Sequence, residues 1–201
     1  MKTRIQICVA ILALGLLNAC SGVLTSEQPA KQYYTLMPLA APPAGPDQEP
    51  GPALSISVNA VPGLDTDRVL ALGPDASLNR YANARWPDHL PEVLTSVMKR
   101  SLVNSGRFSL VEEAGHGKGA WVLKLEVQQF YGVQDQAGNT SSVLVEMSGT
   151  VYCDGSLNSL KLSDSNRVSE ERLSAVVSAH QTGLDHVTKQ LIDQLTGACA
   201  V

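Results

Sequence analysis

Alternation of apolar and polar residues constrains this chain more than any other feature of its sequence. Leu54, Ile56, Val58 and Ala60 alternate with Ser55, Ser57 and Asn59, and successive side chains of a strand point to opposite faces. The pattern returns in Trp121, Leu123, Leu125 and Val127 against Lys124, Glu126 and Gln128, and again in Val143, Val145, Met147, Gly149 and Val151. Strands of this kind have one apolar face to cover and one that stands in water, which predicts an antiparallel sheet.

Two segments have helical spacing instead. Leu90, Val93, Leu94, Val97, Met98 and Leu102 form one stripe, with Asp88 as the expected N-cap, Pro91 in the first turn and Gly106 as the stop. From Ser174 a second stripe runs through Val176, His180, Leu184, Val187, Leu191 and Leu195. Shorter strands are expected at 32–37, 68–72, 78–81 and 108–112, with a polar edge strand within 157–172. Gly115 to Gly119 reads as a hairpin turn. Residues 38–52, which hold six of the eleven prolines, read as a loop. The expected architecture is one two-layer α+β domain over residues 32–199, an antiparallel sheet with two main helices packed on one face.

The first twenty residues set the compartment. Lys2 and Arg4 precede the apolar run Ile7 to Leu17, which as a helix spans only about 17 Å, too short for a stable membrane crossing. A basic start followed by a short apolar stretch describes a secretory signal over residues 1–19. Its end, Leu17-Asn18-Ala19-Cys20, resembles the lipobox of bacterial lipoproteins. That resemblance implies cleavage before Cys20 and covalent lipid on its thiol, with two or three acyl chains holding the protein at a membrane. Ser21 follows where an aspartate would signal inner-membrane retention, so the expected address is the periplasmic face of the outer membrane. Residues 20–31 then carry the lipid and a flexible tether, and residues 21–31 reach at most about 36–40 Å.

Composition narrows the function. Aromatics are 4% of the 201 residues and the net charge is −4. Removing Lys2 and Arg4 from 15 bases leaves 13 against 19 acids, a net −6. An acidic, aromatic-poor surface excludes a phosphate-binding nucleic-acid platform. No nucleophile elbow or zinc-binding helix motif is present. His180 and His186 are six apart, so they do not stack as i, i+4 ligands would. Glu112-Glu113 and Glu170-Glu171 are adjacent pairs whose side chains diverge on a strand. No enzyme activity, metal or cofactor beyond the lipid on Cys20 is expected.

With Cys8 in the signal and Cys20 acylated, Cys153 and Cys199 remain in an oxidising compartment. Cys153 continues the apolar face that begins at Val143, and Cys199 closes the helix expected against that face. The two are disulfide candidates. The alternative, a buried Cys153 and a free thiol in the tail, stays open at this point.

Tyr33-Tyr34-Thr35-Leu36, the proline-rich gap, Arg80-Tyr81-Ala82-Asn83-Ala84-Arg85-Trp86 and Gly106-Arg107-Phe108 follow the lipobox in order. Together they resemble the ABC-type transport auxiliary lipoprotein family, the PqiC-like outer-membrane lipoproteins. The resemblance implies a non-catalytic docking component that accompanies an MCE-domain protein in lipid transport between the two membranes. It makes Tyr33, Tyr34, Tyr81 and Trp86 candidates for a partner interface, with core packing as the competing role. A structural lipoprotein that assists outer-membrane assembly and a periplasmic lipid-binding module are the alternative functions, and homo-oligomerisation is left open.

Overall fold

A computed structural model describes residues 30–42, 51–114 and 120–199. The chain divides into two units at Ala30 and Lys31, and the architecture below is that of the second. Cys20, the signal and the tether fall outside the described residues, apart from Ala30 and Lys31.

Eight strands and two helices occur among the described residues. In chain order they are β1 (Gln32–Tyr33), β2 (Gly51–Ala60), β3 (Arg68–Leu72), β4 (Leu78–Arg85), α1 (Leu90–Asn104), β5 (Phe108–Glu113), β6 (Trp121–Gln134), β7 (Thr140–Cys153), β8 (Ser156–Arg167) and α2 (Leu173–Ala198). All eight strands form one sheet organised around β6. On one flank β7 and then β8 follow, antiparallel. On the other flank, β2 lies beside the first half of β6 and β3 beside the second, both parallel to it. Beyond them, β5 is parallel to β2, β4 antiparallel to β3, and β1 parallel to β4.

The fold is α+β as expected, but the sheet is mixed and not purely antiparallel. The alternating pattern reports which face is wet, and says nothing about strand direction. Direction follows from the crossover: the chain returns from β2 to β5 through α1, which brings the second strand in parallel. The register pairs Ile56 with Leu123, Leu123 with Val151 and Met147 with Leu162. These residues share one face, and both helices pack on it in a single core.

Several boundaries differ from expectation for identifiable reasons. β5 and β6 flank β2 on opposite sides and are not paired with each other; the turn expected at Gly115 to Gly119 lies outside the described residues. Pro52 stands inside β2, at a level where β5 is the only partner, because pairing with β6 begins at Leu54. Gly51 donates to the Arg107 carbonyl at 3.0 Å, so the neighbouring Pro52 ring faces the unpaired side and no ladder bond is lost. Of the rest of the expected 38–52 loop, residues 43–50 are outside the described set. The N-cap of α1 is His89 and not Asp88, with no side-chain cap. Its first amide, Leu90, instead donates to the Thr66 carbonyl at 3.1 Å. Gly106 ends the helix as expected, with φ +68°.

A bulge in β6 decides the core. Val127 pairs with Met147, and the next pair is Gln129 with Glu146. The extra residue moves the inward set from odd to even positions, so Phe130 enters the core at 2% exposure.

Candidate functional site

The described chain enters the domain at β1, a strand of two residues, where a strand over 32–37 was expected. Tyr34 donates its amide to the Arg85 carbonyl at 2.8 Å, and the chain then leaves the sheet and crosses the helix layer. Leu36 is fully buried. Met37 donates to Gln181 Oε1 at 2.8 Å, and its carbonyl accepts from Gln181 Nε2 at 3.0 Å. Leu39 donates to Ser101 Oγ at 3.0 Å, and its carbonyl accepts from Asn104 Nδ2 at 2.7 Å. Residues 34–42 are therefore a strap tied to α2 through Gln181 and to α1 through Ser101 and Asn104. The strap takes the place of a strand because helix side chains satisfy its backbone as a neighbouring strand would.

The four aromatic candidates separate. Tyr33 is exposed on the edge strand at 58%. Tyr34 is half-buried against the core. Tyr81 is also half-buried: its hydroxyl bonds Thr140 Oγ1 and stands over Gly132, where a Cβ would meet it at 2.7 Å. Burial raises the Tyr81 pKa above the ordinary phenol value. Trp86, at 1% exposure, is a core residue and contributes no surface. Its ring meets those of Phe130 and His180 edge-on, with centroids 5.8 and 5.6 Å apart.

His180, on the apolar stripe of α2, is fully buried beneath that aromatic pair. Its Nδ1 lies 2.9 Å from the Val176 carbonyl, which can only accept, so Nδ1 carries the proton. Nε2 is left buried without a partner. Burial lowers the pKa of this imidazole to about 4, against the smaller opposing effect of the Val176 bond. Two other histidines serve as side-chain struts. His89 pairs with Asp65 at 2.8 Å, which raises its pKa, and His186 pairs with Asp164 at 3.1 Å. Asp67 holds Arg85 and, at 3.4 Å, Arg68, tying β3 to the end of β4.

Cys153 and Cys199 form a disulfide, with Cα atoms 5.9 Å apart and both residues buried. It joins the end of β7 to the C-cap of α2. Among the described residues no group of three or more His, Cys, Asp or Glu is placed to hold a metal ion. Among them, too, no helix is long and apolar enough to cross a membrane.

Sequence reasoning did not find the polar residues that organise this surface: Ser101, Asn104, Gln181, Gln190 and Gln194. The last two, with His186, recur at helical spacing beside the apolar stripe of α2. Nothing in a polar stripe distinguishes side chains that face water from side chains that take backbone groups of another element.

The ABC-type transport auxiliary lipoprotein component model matches residues 34–192. No curated protein matches the sequence. A crystal structure of a Xanthomonas campestris protein of the DUF330 family is similar at TM-score 0.69 and 19% identity, covering 83% of this chain and 97% of that one. A second crystal structure, of an uncharacterized protein, is similar at TM-score 0.63 and 15% identity, covering 83% of this chain and 99% of that one. Both show the same fold. With the family match running from the strap through the last turns of α2, this chain belongs to the ABC-type transport auxiliary lipoprotein family.

Proposed function

We propose that this protein is a non-catalytic docking component of an MCE- and ABC-type intermembrane lipid transport system, held at the periplasmic face of the outer membrane by lipid on Cys20. The observation that carries the reading is how the tethered end enters the domain. A pull along residues 20–31 arrives at β1, which is paired with β4, and then at a strap bonded to both helices. An attachment of this kind suits an anchored domain that holds a partner. The lipobox and the family membership support the same reading.

A lipid-holding module would need an enclosed cavity. Among the described residues, the cleft lined by Leu39, Pro42, Arg107 and Ile192 measures about 250 Å³ and a more polar one lined by Asn166, Arg172 and Ala179 about 310 Å³; both are open to solvent and lie at the bottom of the range of about 300–1,000 Å³ usual for small-molecule sites. This favours docking over storage.

The test is affinity purification of the acylated protein from solubilised envelopes. An MCE-domain protein and its ABC partner are expected to co-purify. The Cys20→Ser variant is expected to lose lipid labelling and outer-membrane fractionation. If that variant still fractionates with the outer membrane, the anchor is wrong; if the wild-type chain brings down no transport component, docking is wrong.

A further inference from the structure

The outer edge of β8 is covered along only part of its length. Ser163 donates its amide to Gln190 Oε1 at 3.2 Å, and its carbonyl accepts from Gln190 Nε2 at 3.0 Å. The Lys161 carbonyl accepts from Gln194 Nε2 at 3.0 Å. These bonds identify the outward-facing set, because the N–H and C=O of alternate residues in an antiparallel strand point the same way. Leu157 and Ser159 belong to that set, and among the described residues β7 is the only strand paired with β8. Neither residue's outward backbone groups have a partner among the described residues. A bare edge is a template for another strand, and proteins usually blunt it with charge, proline or a covering element. Residues 156–159 have none of these.

The same stretch carries exposed apolar side chains. Leu157 is 68% exposed and Tyr152, its cross-strand partner, 48%. Tyr152 pairs in turn with Val122, which extends an apolar row across the open face of the sheet. We infer that Leu157–Ser159 is the docking edge for an extended segment of another protein of the transport assembly, added to the sheet as a ninth strand. Backbone groups supply the attachment and alternate side chains the selectivity. The segment's chemistry follows from what it meets: an apolar side chain over Leu157 and Tyr152, and a basic one near Asp154 in the β7–β8 turn. A second copy of this chain pairing through the same edge fits less well. Antiparallel pairing of two β8 edges would carry the second strand past Lys161 and Ser163, where Gln190 and Gln194 already occupy the backbone groups. The free edge also lies far from the anchor. Along the path β1-β4-β3-β6-β7-β8, it is about 24 Å from β1 at the usual strand spacing.

This inference rests on the docking reading above. The experiment is amide hydrogen exchange on the full acylated chain, alone and after co-purification with transport components. Exchange at Leu157 and Ser159 is expected to slow at least tenfold in the complex. Ser159→Pro, which keeps the ladder to β7 because its N–H faces outward, and Leu157→Asp are each expected to reduce co-purification at least tenfold. Leu110→Asp, at an exposed leucine on β5, is expected to leave it unchanged. Should the proline variant fail to fold, the Leu157 substitution at an exposed side chain carries the same reading. If a complex forms without slowing at 157–159, the inference falls and docking stands. If the slowing occurs in the chain alone together with a doubled mass, the occupant is a second copy and the inference falls. If no transport component co-purifies, both readings fall.

Discussion

Of the three edge strands among the described residues, β1 has two residues and β8 twelve, and the helix layer treats those two edges differently. At β1 the chain leaves the sheet at once, and Gln181 of α2 takes both backbone groups of Met37. At β8 the chain stays in the sheet, and Gln190, nine residues further along α2, takes both backbone groups of Ser163. In each place a glutamine amide substitutes for a peptide group. At one edge it fastens a crossing strap beside the first strand, and at the other it closes an exposed strand. Where α2 offers no such side chain, at Leu157–Ser159, the edge stays open next to an exposed leucine. The same device, present or withheld, separates the end that is held from the end that is free to bind.

The comparison can be broken most severely at the disulfide, which ties the β7–β8 side to the end of α2. It closes a separation of 46 residues, worth about 4 kcal/mol on the chain-entropy account. The double variant Cys153→Ala with Cys199→Ala is expected to lose about that much stability in urea titration. Hydrogen exchange should quicken first in β8 and the last turns of α2, while the strap remains protected. Equal loosening at both edges would show that the two sides are not held independently.

Acid acts at the other end, beneath Trp86. The unfolded chain protonates His180 near the ordinary imidazole value of 6.5, whereas the folded chain holds it neutral down to about 4. Between those values the unfolded state binds the extra proton, so stability is full above pH 6.5 and falls as pH drops toward 4. The loss from this group is about 3 kcal/mol in all. Urea titrations at pH 7.5 and pH 4.5, wild type against His180→Phe, isolate it: the variant is expected to have a pH dependence smaller by about that amount. An unchanged dependence would mean that His180 takes up its proton in the folded state.

The gentlest perturbations sharpen the comparison most. Gln181→Ala and Gln190→Ala each remove a pair of partly solvated hydrogen bonds to another element's backbone, the first also a bond to Asp185, at about 1 kcal/mol. Global stability should drop by similar small amounts in the two variants. Local exchange should differ: Gln181→Ala is expected to free the Met37 amide, and Gln190→Ala the Ser163 amide. If each variant affected both amides, the two glutamines would be parts of one cooperative unit of α2.

The faces of the elements were legible before the structure. The inward residues of β2, β6 as far as Val127, and β7 follow period two, and both helical stripes follow their own spacing, because burial there depends on the chemistry of each residue in turn. Cys153 and Cys199 could be placed on converging elements for the same reason. Trp86 could not be told from a surface aromatic, since composition gives an aromatic no address. Phe130 could not be placed inward by alternation, because the bulge that turns it is set by pairing with β7. The glutamines of α2 look solvated in any reading that stops at helical periodicity.

By itself, then, the sequence determined the α+β class, the wet and dry faces and the positions of the two helices. Each depends on residues a few positions apart, within reach of local chemistry and side-chain period. The tertiary structure alone decided the parallel strands on one flank of β6, the strap in place of a longer first strand, the burial of Trp86 and His180, and the stretch of β8 left open. Those features depend on which distant backbone groups find partners and which do not, and a hydrogen bond between Met37 and Gln181, 144 residues apart, leaves no periodic trace in the chain.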